Sequence, residues 1–502
     1  MIELIVLILV SVFLGALLGV LCGLVPAFHQ NNLAILLLLA FPVYATVAST
    51  LCPEYVFLGF LALFMAAICT HNFSDILGSV LTGVPDGSEV LTLQPAQRLV
   101  LRGEGQKIVH ASIYGSVFGL LIGLLLLLPV KLLISEPLNL YEQTRKWIPV
   151  VLFSVGAIIV LSEKTMFERK GKKFVIFGLG KAPETGVLRT VRGKIVRLEN
   201  GRKGRIRIGR REFPFEARKR LGANLDETEI FHGIFVPCLA ENRWKRPLLA
   251  LGVFLLSAFL GWTVLFTPIS SASAFTLLFP LFTGLFGVSS LLLAIACPAK
   301  IPEQKEKVEF GGGKIERKVV RGALAGMFIG IFPGITPGCG AVLIDTKKAK
   351  PEQYIALTSA IETSAFVFNI GALFMVQKTR SGAIASLEQF YGVSEEWITL
   401  TELPQVLSLS LFAVSLAALC TLFILPKFGK WVLKKAKFFV RKEFQIAILL
   451  AIVFSVFLVS GITGIAVLVV ATLVGLLPPL LNLRRIHLMG SIILPVAIVL
   501  ML

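Results

Sequence analysis

Apolar positions run through this chain in long blocks, and charge is confined to the stretches between them. Residues 4–26, 31–51, 55–70, 111–130, 148–161, 247–267, 272–297, 320–332, 403–425, 444–460, 463–478 and 486–502 are each nearly free of charge. They are too long and too uniformly apolar to be the alternating segments of a membrane barrel. A backbone in hydrocarbon must otherwise satisfy its own hydrogen bonds, which leaves the α-helix. A span takes roughly 20 apolar residues, fewer where a helix is broken or short, so the pattern predicts an all-α polytopic membrane protein with about ten to twelve transmembrane helices. The first block lacks a basic leader and a small-residue cleavage site, and reads as a retained helix. Composition agrees: the 502 residues are 56% hydrophobic and 16% charged, where a soluble chain carries about 25% charged residues. Seven scattered cysteines show no metal-ligand or disulfide spacing and read as small buried apolar residues.

One region breaks the pattern. Residues 164–246 hold 22 Lys/Arg against 9 Asp/Glu, which is most of the chain's net charge of +19. Within it, Val191, Ile195, Ile206, Ile208 and Phe213 alternate with basic residues around the turn signal Asn200-Gly201. That is the period of short strands joined by tight turns. The expectation is a small β-rich insert, with a five-stranded barrel as one form, between a first membrane repeat (1–163) and a membrane region containing the second (247–502). Its phenylalanines suit a core rather than a base-stacking platform, so no nucleic acid is expected. The basic insert and the basic loops at 299–321 and 427–442 are assigned to one cytoplasmic face of a multi-pass cell-membrane protein facing anionic membrane lipid.

The apolar blocks are themselves interrupted twice in the same way. "GLVPAFHQNN" (23–32) and "GIFPGITPGCGA" (330–341) align without a gap when the chain is shifted by 307 residues. Gly19 then meets Gly326, Gly23 meets Gly330, Pro26 meets Pro333, Ala27 meets Gly334 and His29 meets Thr336. Proline ends a helix by removing a donor and crowding the preceding turn. Matching Gly/Pro breaks in two halves of a membrane protein point to a transporter site between broken or re-entrant helices. The freed backbone N–H groups and the positive ends of the following half-helices suit an anion. Pro26, Ala27, His29, Asn31, Asn32, Pro333, Gly334, Thr336, Pro337 and Gly338 are therefore the candidate substrate contacts.

These two motifs resemble the duplicated Gly-Pro-Gly motifs of the TctA-like large membrane subunit of tripartite tricarboxylate transporters, and in particular its archaeal-type relatives of unknown function. "HNFSDILGSVLTGVPDGSEVLTLQPAQRLVLRGEG" (71–105) and "QKTRSGA" (377–383) extend the resemblance across both membrane halves but not the basic insert. The resemblance implies secondary uptake of small carboxylates on an ion gradient, with a small membrane subunit and an extracytoplasmic binding protein as partners. Ala27 stands where the family prefers glycine. The two tips are thus chemically unequal, which leaves room for an anion unlike citrate.

Other polar residues fall within apolar stretches, where ionisable side chains are functional candidates by default. His71 and Asp75 lie one helical turn apart, and Glu362 and Asn369 share a face seven residues apart. The first pair reads as proton-responsive and the second as ligands for a coupling cation, proton or sodium; helix-end polar contacts are the alternative for both. Lys378 and Arg380 read as loop residues snorkelling to the interface. No nucleophile elbow, Walker loop or metalloprotease helix is present, so neither an enzyme nor a cofactor is expected. The leading expectation is a gradient-driven transporter of a small organic anion. Its competitors are a translocase for a polyprenyl-phosphate-type lipid carrier, an intramembrane enzyme acting on a lipid headgroup, and a scaffold recruiting a cytoplasmic partner.

Overall fold

A computed structural model describes residues 2–26, 28–84, 93–163, 166–179, 189–199, 203–208, 211–217, 229–242, 244–267, 274–297, 301–306, 308–311, 315–332, 337–344, 349–392, 395–399 and 402–501. Of the candidate substrate contacts, Ala27, Pro333, Gly334 and Thr336 lie outside the described residues. The chain divides into two compact units, Met1–Ser162 with Ala250–Leu502, and Glu163–Leu249.

The first unit is helical. Its first half contains α1 (Ile2–Cys22), α2 (Gln30–Leu39), α3 (Phe41–Ala48), α4 (Val56–Thr82), α5 (Leu93–Leu101), α6 (Gln106–Ile134), α7 (Leu140–Thr144) and α8 (Ile148–Leu161). After the second unit come α9 (Lys245–Phe266), α10 (Ala274–Phe282), a π-helical turn at Thr283–Val288, and α11 (Ser289–Ala296). The second half contains α12 (Ile315–Ile331), α13 (Pro337–Leu343), α14 (Pro351–Val376), α15 (Gly382–Tyr391), α16 (Gln405–Lys434), α17 (Ala436–Phe439), α18 (Lys442–Leu480) and α19 (Gly490–Val499). Among the described residues nine helices are long and apolar enough to cross a membrane, or ten if α2 and α3, bent by 54° at Ala40, form one span. The sequence expectation ran higher because it counted short segments such as α12, whose 17 residues fall below spanning length.

Glycine builds the frame. On α1, Gly15 and Gly19 abut the carbonyls of Leu63 and Ala67 on α4; on α12, Gly322 and Gly326 abut the carbonyls of Leu357 and Ile361 on α14. A side chain at any of the four would run into backbone, so only glycine permits these helix axes to approach so closely. The step between equivalent positions is 307 residues from α1 to α12 and 294 from α4 to α14, so Asp75 corresponds to Asn369. The halves also interlock. Helix α6 of the first half packs along α14 of the second, and α16 of the second packs along α4 of the first. Helices α4 and α14 are consequently buried along most of their length, while α1, α16 and α18 leave Phe13, Leu17, Phe412, Phe423, Phe454 and Phe457 exposed. Large apolar side chains displayed this way suit a lipid boundary.

The duplication reaches the last helices. Gly490 on α19 abuts the Phe254 carbonyl on α9, and Gly284 in the π-helical turn lies against the Leu468 carbonyl on α18. Gly261 against Ser491 and Gly475 against Leu285 repeat the relation, with Phe254 to Leu468 and Gly261 to Gly475 both stepping by 214. The step thus shrinks by 93 residues from the α1–α12 pair to the α9–α18 pair, close to the length of Glu163–Leu249. The second unit is therefore an insertion into the first repeat, between α8 and α9. In the second repeat α18 crosses the corresponding stretch with only a break at Gly461 (φ 59°, ψ −154°).

That second unit is built of β1 (Met166–Leu179), β2 (Arg189–Glu199), β3 (Lys203–Ile208), β4 (Arg211–Ala217) and β5 (Glu229–Asn242). They close in the order β1-β4-β3-β2-β5, with β1 and β4 parallel and the other pairings antiparallel. Strands β2 and β3 flank the Asn200-Gly201 turn signal, whose own residues lie outside the described set.

Three charged loops of the helical unit meet at one place. Gly105 N–H donates to Gln304 Oε1 at 3.0 Å, Lys305 N–H donates to Gly103 O at 2.8 Å, and Glu306 pairs with Lys434 at 2.8 Å and Lys430 at 3.7 Å. Those contacts hold the Glu306 carboxyl below the usual carboxylate range, the Lys434 hydrogen bond contributing most. The basic loops around 299–321 and 427–442 therefore share a face.

Candidate functional site

Helix α1 does not end abruptly at Pro26. Its last turn tightens, with Leu24 N–H donating to Leu21 O at 3.2 Å and Val25 N–H to Cys22 O at 2.9 Å, before the buried proline. The carbonyl of Phe28 is then taken up by His71, whose Nε2–H donates to it at 2.7 Å. Lipid offers no donor to such a carbonyl. His71, buried on α4, thus closes the break from the neighbouring helix.

The polar residues after Pro26 have structural duties of their own. His29 caps α2, its Nδ1 accepting from Asn31 N–H at 3.2 Å. Asn31 Oδ1 accepts from Ala383 N–H at 3.0 Å, which holds the first turn of α15 beside the Ser381 cap. Asn32 Nδ2 donates to Thr283 Oγ1 at 3.4 Å, at the start of the π-helical turn. His29 caps α2, and Asn31 and Asn32 stitch it to α15 and to the α10–α11 segment, duties that composition alone does not reveal.

They also line a cavity of about 300 Å³, at the small end of the usual range for small-molecule sites. Around it lie His29, Gln30, Asn31 and Asn32 from the first break and Pro337 from just beyond the second. Glu362 and Asn369 face it from α14, and Thr379, Arg380, Ser381 and Gly382 from the α14–α15 loop. An apolar wall comes from Leu278, Phe279, Phe282 and Phe286 and from Met489 and Ile492. The π-helical turn carries part of that wall, and such turns recur at functional sites. Pro26 is buried in the first break and Gly338 in α13, and neither lines the cavity.

Two expectations change. Arg380, expected to snorkel outward, lines the cavity instead. Its Nε and Nη2 are buried without a hydrogen-bond partner among the described residues, and its guanidinium carbon sits 5.0 Å from the Tyr141 ring centroid. Gln30 Oε1 is likewise buried and unpartnered among the described residues. His71 and Asp75 do not line the cavity, although Glu362 and Asn369 do. A signal for Arg380 was present in the sequence: it directly precedes a Ser-Gly pair that caps a helix, inside the quoted "QKTRSGA" motif.

Residues 9–199 and 230–490 match the Tripartite tricarboxylate transporter TctA family. The chain belongs to that family. The match enters the basic insert from both sides and within it omits 200–229, which holds β3 and β4, so the resemblance reaches further than the motifs indicated. An uncharacterized protein of Methanocaldococcus jannaschii, MJ1079, is 22% identical over 161 residues, 32% of this chain and 38% of that relative. No solved structure matches. The chain's apolar helices, nine of them long enough to span among the described residues, make it a multi-pass membrane protein.

Proposed function

We propose that the chain is a secondary transporter of a small organic anion, driven by a proton or sodium gradient, with its site in the cavity beside the two helix breaks. The observation that carries this reading is the meeting, around one cavity, of the residues that follow both breaks with the half-buried Arg380, whose Nε and Nη2 have no hydrogen-bond partner among the described residues. Donors buried without an acceptor are costly, and an anion would relieve that cost. Glu362 and Asn369, on the same wall, are the proposed ligands of the coupling cation. His71 holds the backbone of the break, and Asp75 lies one turn further along α4. The basic insert and the shared loop face are placed in the cytoplasm, by the bias of short basic loops toward that side. A small membrane subunit and an extracytoplasmic binding protein are the proposed partners.

The test is uptake by the purified protein in proteoliposomes, under imposed sodium or proton gradients, of labelled citrate, succinate, acetate and phenylacetate. Gradient-dependent accumulation of one of them is expected. Folded, correctly inserted protein that accumulates none would overturn the reading.

A further inference from the structure

The cavity is poorly matched to a multiply charged substrate. Among the described lining residues Arg380 is the only lysine or arginine, and Glu362 contributes a carboxyl to the same space. A tricarboxylate entering it would meet one guanidinium, one acidic side chain and a largely apolar wall. Most of its charge would lose water without gaining a partner, and desolvated charge is expensive unless paired and hydrogen-bonded. A single carboxylate has no such difficulty. The planar guanidinium donates in a fork that matches one carboxylate, and its Nε and Nη2 have no hydrogen-bond partner among the described residues.

The rest of the surface selects for a hydrocarbon body. Leu278, Phe282, Phe286, Met489 and Ile492 face the cavity. The Phe282 and Phe286 rings lie 6.3 Å apart and nearly parallel, with 19° between their planes. An apolar group buried against such rings is stabilised by area removed from water and by ring contacts. With a volume of about 300 Å³ the space suits a compact ligand.

We propose that this cavity binds a monocarboxylate with an aromatic or branched apolar body, anchored by Arg380, and discriminates against di- and tricarboxylates through Glu362. The inference rests on the reading of the cavity as the transport site, and names the substrate class within it.

The experiment is equilibrium binding to the full-length protein in nanodiscs, by calorimetry, with phenylacetate, 3-methylbutanoate, succinate and citrate as probes. Wild type is expected to bind phenylacetate most tightly and citrate least. Arg380→Gln should weaken phenylacetate by about tenfold or more, the loss expected for a hydrogen bond to a charged group. Arg380→Lys should fall between the two, because it keeps the charge and loses the fork. Glu362→Gln should raise the affinity for succinate relative to phenylacetate, a shift in preference that misfolding cannot mimic. Citrate bound more tightly than phenylacetate, with that binding lost in Arg380→Gln, would overturn the monocarboxylate inference and leave the anion site standing. Binding of any probe that is unchanged in both Arg380 variants, or no binding of any probe to folded wild type, would overturn the site itself.

Discussion

Helices α4 and α14 occupy equivalent places in the two repeats and are gripped by the same glycine ladders, yet they carry different chemistry. On α4, His71 turns to the backbone of the first break and donates to the Phe28 carbonyl, and neither it nor Asp75 reaches the cavity. On α14, Glu362 and Asn369 face the cavity directly. The residue equivalent to Asp75 is Asn369, and the equivalent of Glu362 is Ile68. Duplication therefore preserved what close helix packing requires and let the polar residues diverge. In this chain one copy of the helix braces the break and the other lines the space. Symmetry of backbone is thus a poor guide to symmetry of function.

The strongest test of the shared frame is steric. A leucine at Gly19 would meet the Ala67 carbonyl and Thr70, and one at Gly326 would meet the Ile361 carbonyl and Ser364. Overpacking of a tight contact costs about 1–3 kcal/mol and more where backbone must move. Gly19→Leu and Gly326→Leu should each cost about 3 kcal/mol or more, read as a large fall in thermal midpoint or loss of monodisperse protein. Equal damage from both supports a common frame. Tolerance at one site would show that the two crossings differ in tightness.

A smaller effect separates the two helices by function. Glu362→Gln should remove the dependence of uptake on the driving ion while the protein remains folded. Asp75→Asn should retain that dependence, and it makes the first repeat match Asn369 in the second. Asp75 Oδ1 accepts from Ile76 N–H at 2.7 Å, and an amide oxygen can accept there as well, so the folded state should survive the change. The measurement is uptake in proteoliposomes at several internal and external pH and sodium values. Loss of ion dependence in Asp75→Asn alone would return coupling to α4.

How much of this could be read in the sequence follows from what each feature must satisfy. The glycines at 19, 23, 326 and 330 were legible because close backbone approach admits almost nothing else. Many of the spans were legible because lipid imposes length and composition. The interlocking of α6 with α14 and of α16 with α4 was not, since it leaves no mark in either helix's own pattern. Nor could sequence distinguish polar residues occupied with the protein from those open to a ligand. His29, Asn31 and Asn32 read as a binding cluster; they line the cavity, and they also serve as a cap and two ties. Arg380 looked like an interfacial loop residue, because its place beside the cavity depends on Tyr141 and on the α14–α15 turn, far from it in the chain or invisible in its pattern.

The smallest effect concerns the tie between the first break and the loop that carries Arg380. Asn31 accepts from Ala383 N–H, and its side chain also lies directly over Gly382, where an added Cβ would come within 2.8 Å of Asn31 Cγ. Asn31→Ala should cost about 1 kcal/mol, the usual value of a helix-capping hydrogen bond. Gly382→Ala alone should also destabilise, because the new methyl displaces Asn31. In the Asn31→Ala background that clash is gone, and alanine favours a helical first turn over glycine by roughly 0.5–1 kcal/mol. The second substitution should therefore change sign, from destabilising to neutral or stabilising. A double-mutant cycle on thermal or denaturant unfolding measures this coupling directly. Additive effects would mean that Asn31 does not hold the Arg380 loop, and that the two sides of the cavity are positioned independently.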